Sequence, residues 1–320
     1  MSSRQTIALK AAGSLVLLAA LAWVVDFGTL PERMSALSPE GLALAAAAVV
    51  AAVAVSVLKW GLILARREHP LPALRLTRHY LVGLFFNNIL PGTVGGDAVR
   101  AWSTTRDTGE VPEAVGSVIT ERLIAGAGLG LTAAIGLLFL PDPERFALSV
   151  AAFLGINLGL IGLLLLPRLA DGAIRALLPA GWAAGTADTL RAIRAGLSDL
   201  RILGPVLALS IVFQCLVAAV NAALFSALGV PVGFGACLIF TPMIFALTML
   251  PLSLSGFGLR EAAYAYFFAF VGVPMADAVA VSLVFFGLVA IISLPGAPLF
   301  FMSDLPTRLQ SFASNSEVQP

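Results

Sequence analysis

The sequence predicts an all-α polytopic membrane protein, with six spanning helices and two re-entrant broken hairpins arranged as an inverted-topology repeat. Three observations carry that expectation. Of 320 residues, 59% are hydrophobic and 12% charged, with a mean hydropathy of +0.97; a soluble domain is about half apolar and roughly a quarter charged. Apolar runs long enough to cross a bilayer recur along the chain. Two further apolar segments are broken by the same residue pattern, half a chain apart.

The first break runs from Asn87 and Asn88 through Pro91, Gly95, Gly96 and Asp97 to Arg100. Proline removes a backbone donor and glycines weaken a helix. Freed backbone groups are tolerated at membrane depth only inside protein or beside a wet cavity. The second break runs from Leu250 and Pro251 through Ser253, Ser255, Gly256 and Gly258 to Arg260. Without a gap, Pro91 matches Pro251, Gly96 matches Gly256 and Arg100 matches Arg260, each 160 residues apart. Interrupted segments at corresponding places in two halves point to a transporter binding site.

Taken in order, Arg4 and Lys10 precede a first span, Ala11–Val25, expected to be retained rather than cleaved. Ser38 and Pro39 supply a cap and first position for the span Leu42–Leu64, where Lys59 is expected to snorkel to the headgroups. Arg66, Arg67, Arg75 and Arg78 make the next loop cytoplasmic by the positive-inside rule, and with it the N-terminus. His69 and His79 sit at that edge, expected to meet solvent or headgroups. Tyr80–Leu90 is too short to span, so a hairpin is predicted to enter from inside, turn at Pro91–Gly96 and leave through Asp97–Thr105. Ala114–Leu140 and Phe146–Leu166 then cross, the latter carrying Gly155 and Gly159 as a small-residue packing face.

A polar linker over 167–202 follows. Its residues Leu190, Ile193, Leu197 and Leu200 share one helical face, which suits a helix on the inner membrane surface or a connector covering the bundle. Leu203–Leu228 crosses outward. A second hairpin enters from outside over Ala236–Leu250, breaks at Pro251–Gly258 and returns through Leu259–Val271. Met275–Phe300 is the last span. The membrane domain is thus 1–302, with halves of about 1–140 and 145–302, and 303–320 forms a polar cytoplasmic tail.

A charged side chain at the bilayer centre costs about 2.5–3.5 kcal/mol on insertion scales, so such residues are placed for pairing or for function. Arg100, Glu121, Arg122, Arg260 and Glu261 all lie in or beside apolar segments. Internal ion pairs, Arg100–Glu121 or Arg122–Glu261, are one use. Binding of an anionic headgroup is the other, since a guanidinium fork suits phosphate. Helix starts at Gly95–Gly96 and Gly256–Gly258 would add backbone donors, and Asn87, Asn88, Thr93, Ser253 and Ser255 neutral hydrogen bonds. Asp97 is expected to cap the returning helix. Nothing predicts a catalytic residue, a metal site or a cofactor. Cys215 and Cys237 lie in apolar runs without ligand spacing, no nucleotide-cradling loop is present, and a net charge of +1 gives no footing for nucleic acid.

The segments Asn88–Gly92, Gly95–Arg100, Thr120-Glu121-Arg122 and Ser255–Glu261 resemble the flippase-like transmembrane family that includes the membrane region of lysylphosphatidylglycerol synthase. The resemblance covers the chain to about residue 300. It implies a bacterial inner-membrane protein handling a lipid with a phosphate or sugar-phosphate headgroup. The synthase's soluble aminoacyl-transfer domain has no counterpart in this sequence, so translocation rather than lysyl transfer is the expected role. The expected partner is a membrane lipid with an anionic headgroup. Two alternatives stay open: an enzyme acting on a lipid phosphate or glycosyl donor, and a scaffold that docks a lipid-pathway enzyme through the Leu190–Leu200 face.

Overall fold

The computed structural model describes Gly28 and residues 30–90, 95–177, 180–249 and 256–302. Among them the regular structure is all helical. The predicted first span Ala11–Val25, the turn residues Pro91 and Pro251, the candidates Thr93, Ser253 and Ser255, and the tail 303–320 lie outside the described residues.

A short helix α1 (Leu30–Ser35) leads into α2 (Pro39–Arg66). As the sequence indicates, Ser38 Oγ accepts from the Gly41 N–H at 3.3 Å and Pro39 takes the first position, where its missing donor is harmless. Next come α3 (Ala73–Ile89) and α4 (Gly95–Thr108), packed on each other as a pair. Helix α3 starts earlier than expected, directly after Pro72. Its first turns carry Arg75, which is exposed, and Arg78, whose Nε donates to the Leu299 carbonyl. Helices α5 (Val111–Leu137) and α6 (Glu144–Leu165) follow, then α7 (Pro167–Leu177), α8 (Ala180–Ser198) and α9 (Leu200–Ala227). Helices α10 (Phe234–Thr248) and α11 (Leu259–Ala269) form a second packed pair, and α12 (Met275–Ser293) with α13 (Gly296–Met302) ends the described chain.

Among the described residues, five helical stretches are long and apolar enough to cross a membrane: α2, α5, α6, α9 and the continuous stretch Met275–Met302. Neither α3, α4, α10 nor α11 reaches the roughly 20 residues that a span requires. Among the described residues, α2 and α9 pack against each other more extensively than any other pair of helices.

Contacts sort the helix ends into two groups. At one end Arg67, just past α2, pairs with Glu113 at the start of α5 and donates to the Ala192 carbonyl of α8. His79 of α3 meets Asp107 of α4, and Arg78 Nε donates to the Leu299 carbonyl of α13. At the other end the Ser38 N–H donates to the Ala227 carbonyl, Arg33 pairs with Asp277, and Phe146 packs on Phe240 and Phe270. The first hairpin therefore opens toward the arginine-rich end, and the second opens away from it.

Helix α5 is the hub. Its glycines sit where neighbours press in: Gly116 against Ala192, Gly128 against Ser210 and Gly136 against Ile239. By contrast α6 buries only Phe146 and Val150, and nothing approaches Gly155 or Gly159. The packing role expected of that face is not seen among the described residues. The linker likewise departs from the surface-helix expectation. Leu190, Ile193 and Leu197 of α8 are buried, with Gly196 against Thr120 of α5, while Leu200 is exposed at the start of α9. The apolar face covers the bundle, so it is not a free docking surface for a partner.

Helices α3 and α4 cross where two glycines meet. A Cβ on Gly96 would run into the Gly83 carbonyl oxygen and the Asn87 amide. Gly96→Ala is therefore expected to loosen the hairpin by about 1–3 kcal/mol, the usual range for overpacking. The thermal midpoint of the detergent-solubilised protein should fall, while Gly155→Ala, in open space, leaves it unchanged.

Candidate functional site

The short hairpin α3–α4 carries Arg100 into the protein, facing α2 and α5. There the Glu121 carboxylate takes two cations at once. Its Oε1 lies 2.9 Å from Lys59 Nζ, and its Oε2 accepts from Arg100 Nη2 at 2.7 Å. All three are buried, with exposures of 3%, 3% and 4% for Lys59, Arg100 and Glu121. The Arg100 guanidinium also lies over the Trp60 and Tyr80 rings, at 4.7 and 5.4 Å, while Trp60 Nε1 donates to Ser117 Oγ. Beside this cluster, Asp97 accepts two hydrogen bonds from Arg122, at 2.7 and 2.9 Å, and lies 3.8 Å from Arg100. Unlike the others, the Arg122 side chain is 47% exposed. Three cations thus share two carboxylates.

Lys59 was expected at the headgroups, and its burial overturns that reading. Seven residues of helix separate it from Arg66, about 10 Å of rise, which is too deep for the ammonium to reach out. It turns inward instead, with its charge met by Glu121 and the Phe213 ring 5.0 Å away. That depth was the signal in the sequence. His79 is likewise buried rather than solvated, with Nε2 2.7 Å from Asp107 Oδ2.

The second arginine is neutralised differently. Arg260 Nη2 and Nε donate to Glu261 Oε1 at 2.7 and 3.0 Å, and Nε also reaches Ser282 Oγ at 3.2 Å. Its guanidinium stacks over Phe286 at 4.3 Å. Glu261 Oε2 accepts from the Gly258 N–H at 2.8 Å, closing the first turn of α11. Gly256 and Gly258 hold φ of 83° and 80°, left-handed values that glycine adopts without penalty. The Gly258 N–H, expected to be a donor for an anion, is thus already taken by Glu261.

Of the predicted site residues, the structure brings Arg100 and Glu121 together and adds Lys59. It joins Arg122 to Asp97 and Arg260 to Glu261, rather than Arg122 to Glu261. Asn87 Oδ1 accepts from the Gly96 N–H at 2.9 Å, and Asn88 Nδ2 donates to Ser293 Oγ at 2.9 Å. Both amides therefore serve the hairpin and its seating on α12. Gly95 begins α4 beside Leu90. Among the described residues no hydrogen bond or ion pair joins the Arg100 cluster to the Arg260 cluster. Nor does any group of His, Cys, Asp or Glu there gather as a metal site requires.

Long apolar helices enclosing buried ion pairs define a polytopic α-helical membrane protein. A family model described as the lysylphosphatidylglycerol synthase TM region matches residues 7–296, and the chain belongs to that family. A search of curated proteins finds no match.

Removing the charge of Glu121 would leave buried Lys59 without a counter-charge and Arg100 with only Asp97, 3.8 Å away. Glu121→Gln is expected to destabilise the protein by about 3–5 kcal/mol, the usual loss when a buried pair is broken from one side. Arg122→Gln, at a half-exposed pair, should change stability by about 0–1 kcal/mol. Thermal unfolding of the two solubilised variants side by side checks the contrast.

Proposed function

We propose that the protein is a flippase-like translocator that moves a lipid with an anionic phosphate headgroup, or a lipid-linked glycan, across the bacterial inner membrane. The observation that carries this reading is the surplus of positive charge at the first hairpin, where Lys59, Arg100 and Arg122 share only Asp97 and Glu121. A buried cation in excess calls for an anion, and a phosphate headgroup supplies one. Unmet polar groups support it: Arg100 Nε, Ser56 Oγ and Gln214 Oε1 are buried without a hydrogen-bond partner among the described residues. Such groups suit water or a polar headgroup.

In this reading the two hairpins are re-entrant, one from each side, and the halves form an inverted-topology repeat. The opposed opening of the hairpins and the pairing of α2 with α9 support that arrangement. The arginine-rich end faces the cytoplasm with both termini, following the positive-inside rule. The headgroup passes from Arg122, exposed beside the hairpin, to the Lys59–Arg100 pair, while the acyl chains stay in the bilayer. Arg260 and Glu261, with the serines of the second break, form the matching station of the other half. No covalent step is involved, so the protein is not an enzyme in this reading; a pathway enzyme that makes or uses the lipid is the natural partner.

Reconstitution into vesicles tests it. A fluorescent anionic phospholipid should cross faster with the protein than without, measured as the fraction protected from an external quencher. Lys59→Ala and Arg100→Ala should each slow crossing by roughly tenfold or more, as expected for a lost charge-assisted contact. Rates unchanged in both variants, with the fold intact, reject the proposal.

A further inference from the structure

The break between α6 and α7 marks a surface that the bundle does not use. Helix α6 is long and apolar enough to cross the bilayer and ends at Leu165. Leu166 is extended and Pro167 opens α7. A residue ahead of proline is driven out of the helical region, so the helix breaks where the span ends. Helix α7 therefore begins at the membrane boundary, on the arginine-rich side of the molecule.

Contacts with α8 fix how α7 is rolled. Arg194 donates through Nε to the Leu164 carbonyl at 2.9 Å, an acceptor left open at the end of α6. Through Nη2 it donates to Asp171 of α7 at 2.6 Å, and Ala170 is buried next to that residue. The other edge is uncovered. Leu166 and Leu169 are 53% and 58% exposed, and Arg168, Gly172 and Ala176 are exposed with them.

The sequence of α7 divides by helical position. At about 3.6 residues per turn, Leu169, Ala173 and Leu177 fall on one side, and Arg168, Asp171 and Arg175 on the opposite side. Asp171 is the one carboxylate of α7, and Arg194 meets it, so the polar side is left cationic. Arg66 and Arg201, at the facing ends of α2 and α9, are exposed as well. An apolar edge beside a cationic one, at the end of a span, complements a leaflet of anionic lipid.

We propose that α7 lies in the headgroup layer and binds an anionic bilayer surface, with its Leu169 edge in the acyl boundary and Arg168 at the level of the lipid phosphates. The surface-helix role expected of the Leu190–Leu200 face thus belongs to α7. The proposal stands whether or not the protein translocates lipid.

The full chain, with Cys215 replaced by Ala and the sealed Cys237 retained, tests it by spin labels at Leu169→Cys or Gly172→Cys. Both positions are exposed, so the labels leave the thermal midpoint in place. The protein is reconstituted into vesicles of phosphatidylcholine, or of phosphatidylcholine with phosphatidylglycerol. The Leu169 label should collide with oxygen, which concentrates in lipid, in preference to an aqueous nickel chelate. The Gly172 label should show the reverse. Adding phosphatidylglycerol should lower chelate access at Leu169 by roughly fivefold, the factor expected for one arginine beside an anionic surface. Arg168→Gln/Arg175→Gln should remove that response. Equal chelate access at the two positions overturns the proposal. So does access at Leu169 that ignores phosphatidylglycerol, or a response that survives the double variant. A Leu169 label shielded from both oxygen and chelate would make a second copy or another protein the occupant, and also overturns it.

Discussion

One carboxylate organises the first half of the molecule. Glu121 presents one oxygen to Lys59 and the other to Arg100, so three helices, α2, α4 and α5, are bound to a single buried point. Each cation there has lost its water, and a buried ion is tolerable only when paired and hydrogen-bonded. Trp60 strengthens the same junction from α2, its ring under Arg100 and its indole N–H on Ser117 of α5. The close crossing of Gly83 and Gly96 sets how near α4 lies to α3, and so where Arg100 enters. Backbone proximity at the glycines and charge pairing at Glu121 thus hold the same helix, α4, from two sides.

The two halves share element order and their matched arginines, yet solve the burial of charge in different ways. Arg100 finds its counter-charge on another helix, 21 positions along the chain. Arg260 finds it on the next residue, with Ser282 of α12 as a neutral second partner. Around Arg260 the space is filled with rings: Phe257 and Phe286 flank it, and Tyr264, Phe268, Phe225 and Phe240 pack beyond. Polar satisfaction there is complete enough that Tyr264 donates to Asn221, which in turn donates to Thr241. Among the described residues, the Arg260 cluster pairs one cation with one carboxylate, whereas the Arg100 cluster sets three cations against two.

Much of this was legible in the sequence because lipid narrows the choices. Membrane character, the spans over 42–64 and 203–228, the Ser38 cap and the two short hairpins all follow from run length and from Pro and Gly placement. The match of Pro, Gly and Arg in one register is what suggests a repeat. Pairing was less legible. Hydropathy marks Arg100, Glu121, Arg122, Arg260 and Glu261 as costly, but partners depend on which faces meet, and five charges allow several pairings. Lys59 was misplaced because a lysine near a span's end ordinarily snorkels, and only its depth below Arg66 argues otherwise. The α8 face was ambiguous for the same reason: a leucine stripe suits lipid or protein equally, and Gly116 and Gly196, which let α8 approach α5, acquire meaning only once the helices are docked.

The different pairing of the two arginines bears on motion. A pair within one helical turn travels with its helix, so α11 can shift without separating Arg260 from Glu261. A pair between helices cannot. If the first hairpin moves away from α5, Arg100 leaves Glu121 and keeps only Asp97 of its own helix, 3.8 Å away, while Glu121 keeps Lys59. In the proposed translocator, a phosphate would take the place of Glu121 beside Arg100. Under that proposal the free energy of moving the hairpin would depend on whether an anion is present, which is the differential binding that any ligand-linked change of state requires. Reciprocity follows: a hairpin held away from Glu121 binds the anion more tightly, by the same factor. The shared carboxylate makes this linkage workable, because the departure of one cation leaves the other in place and Glu121 never faces hydrocarbon alone.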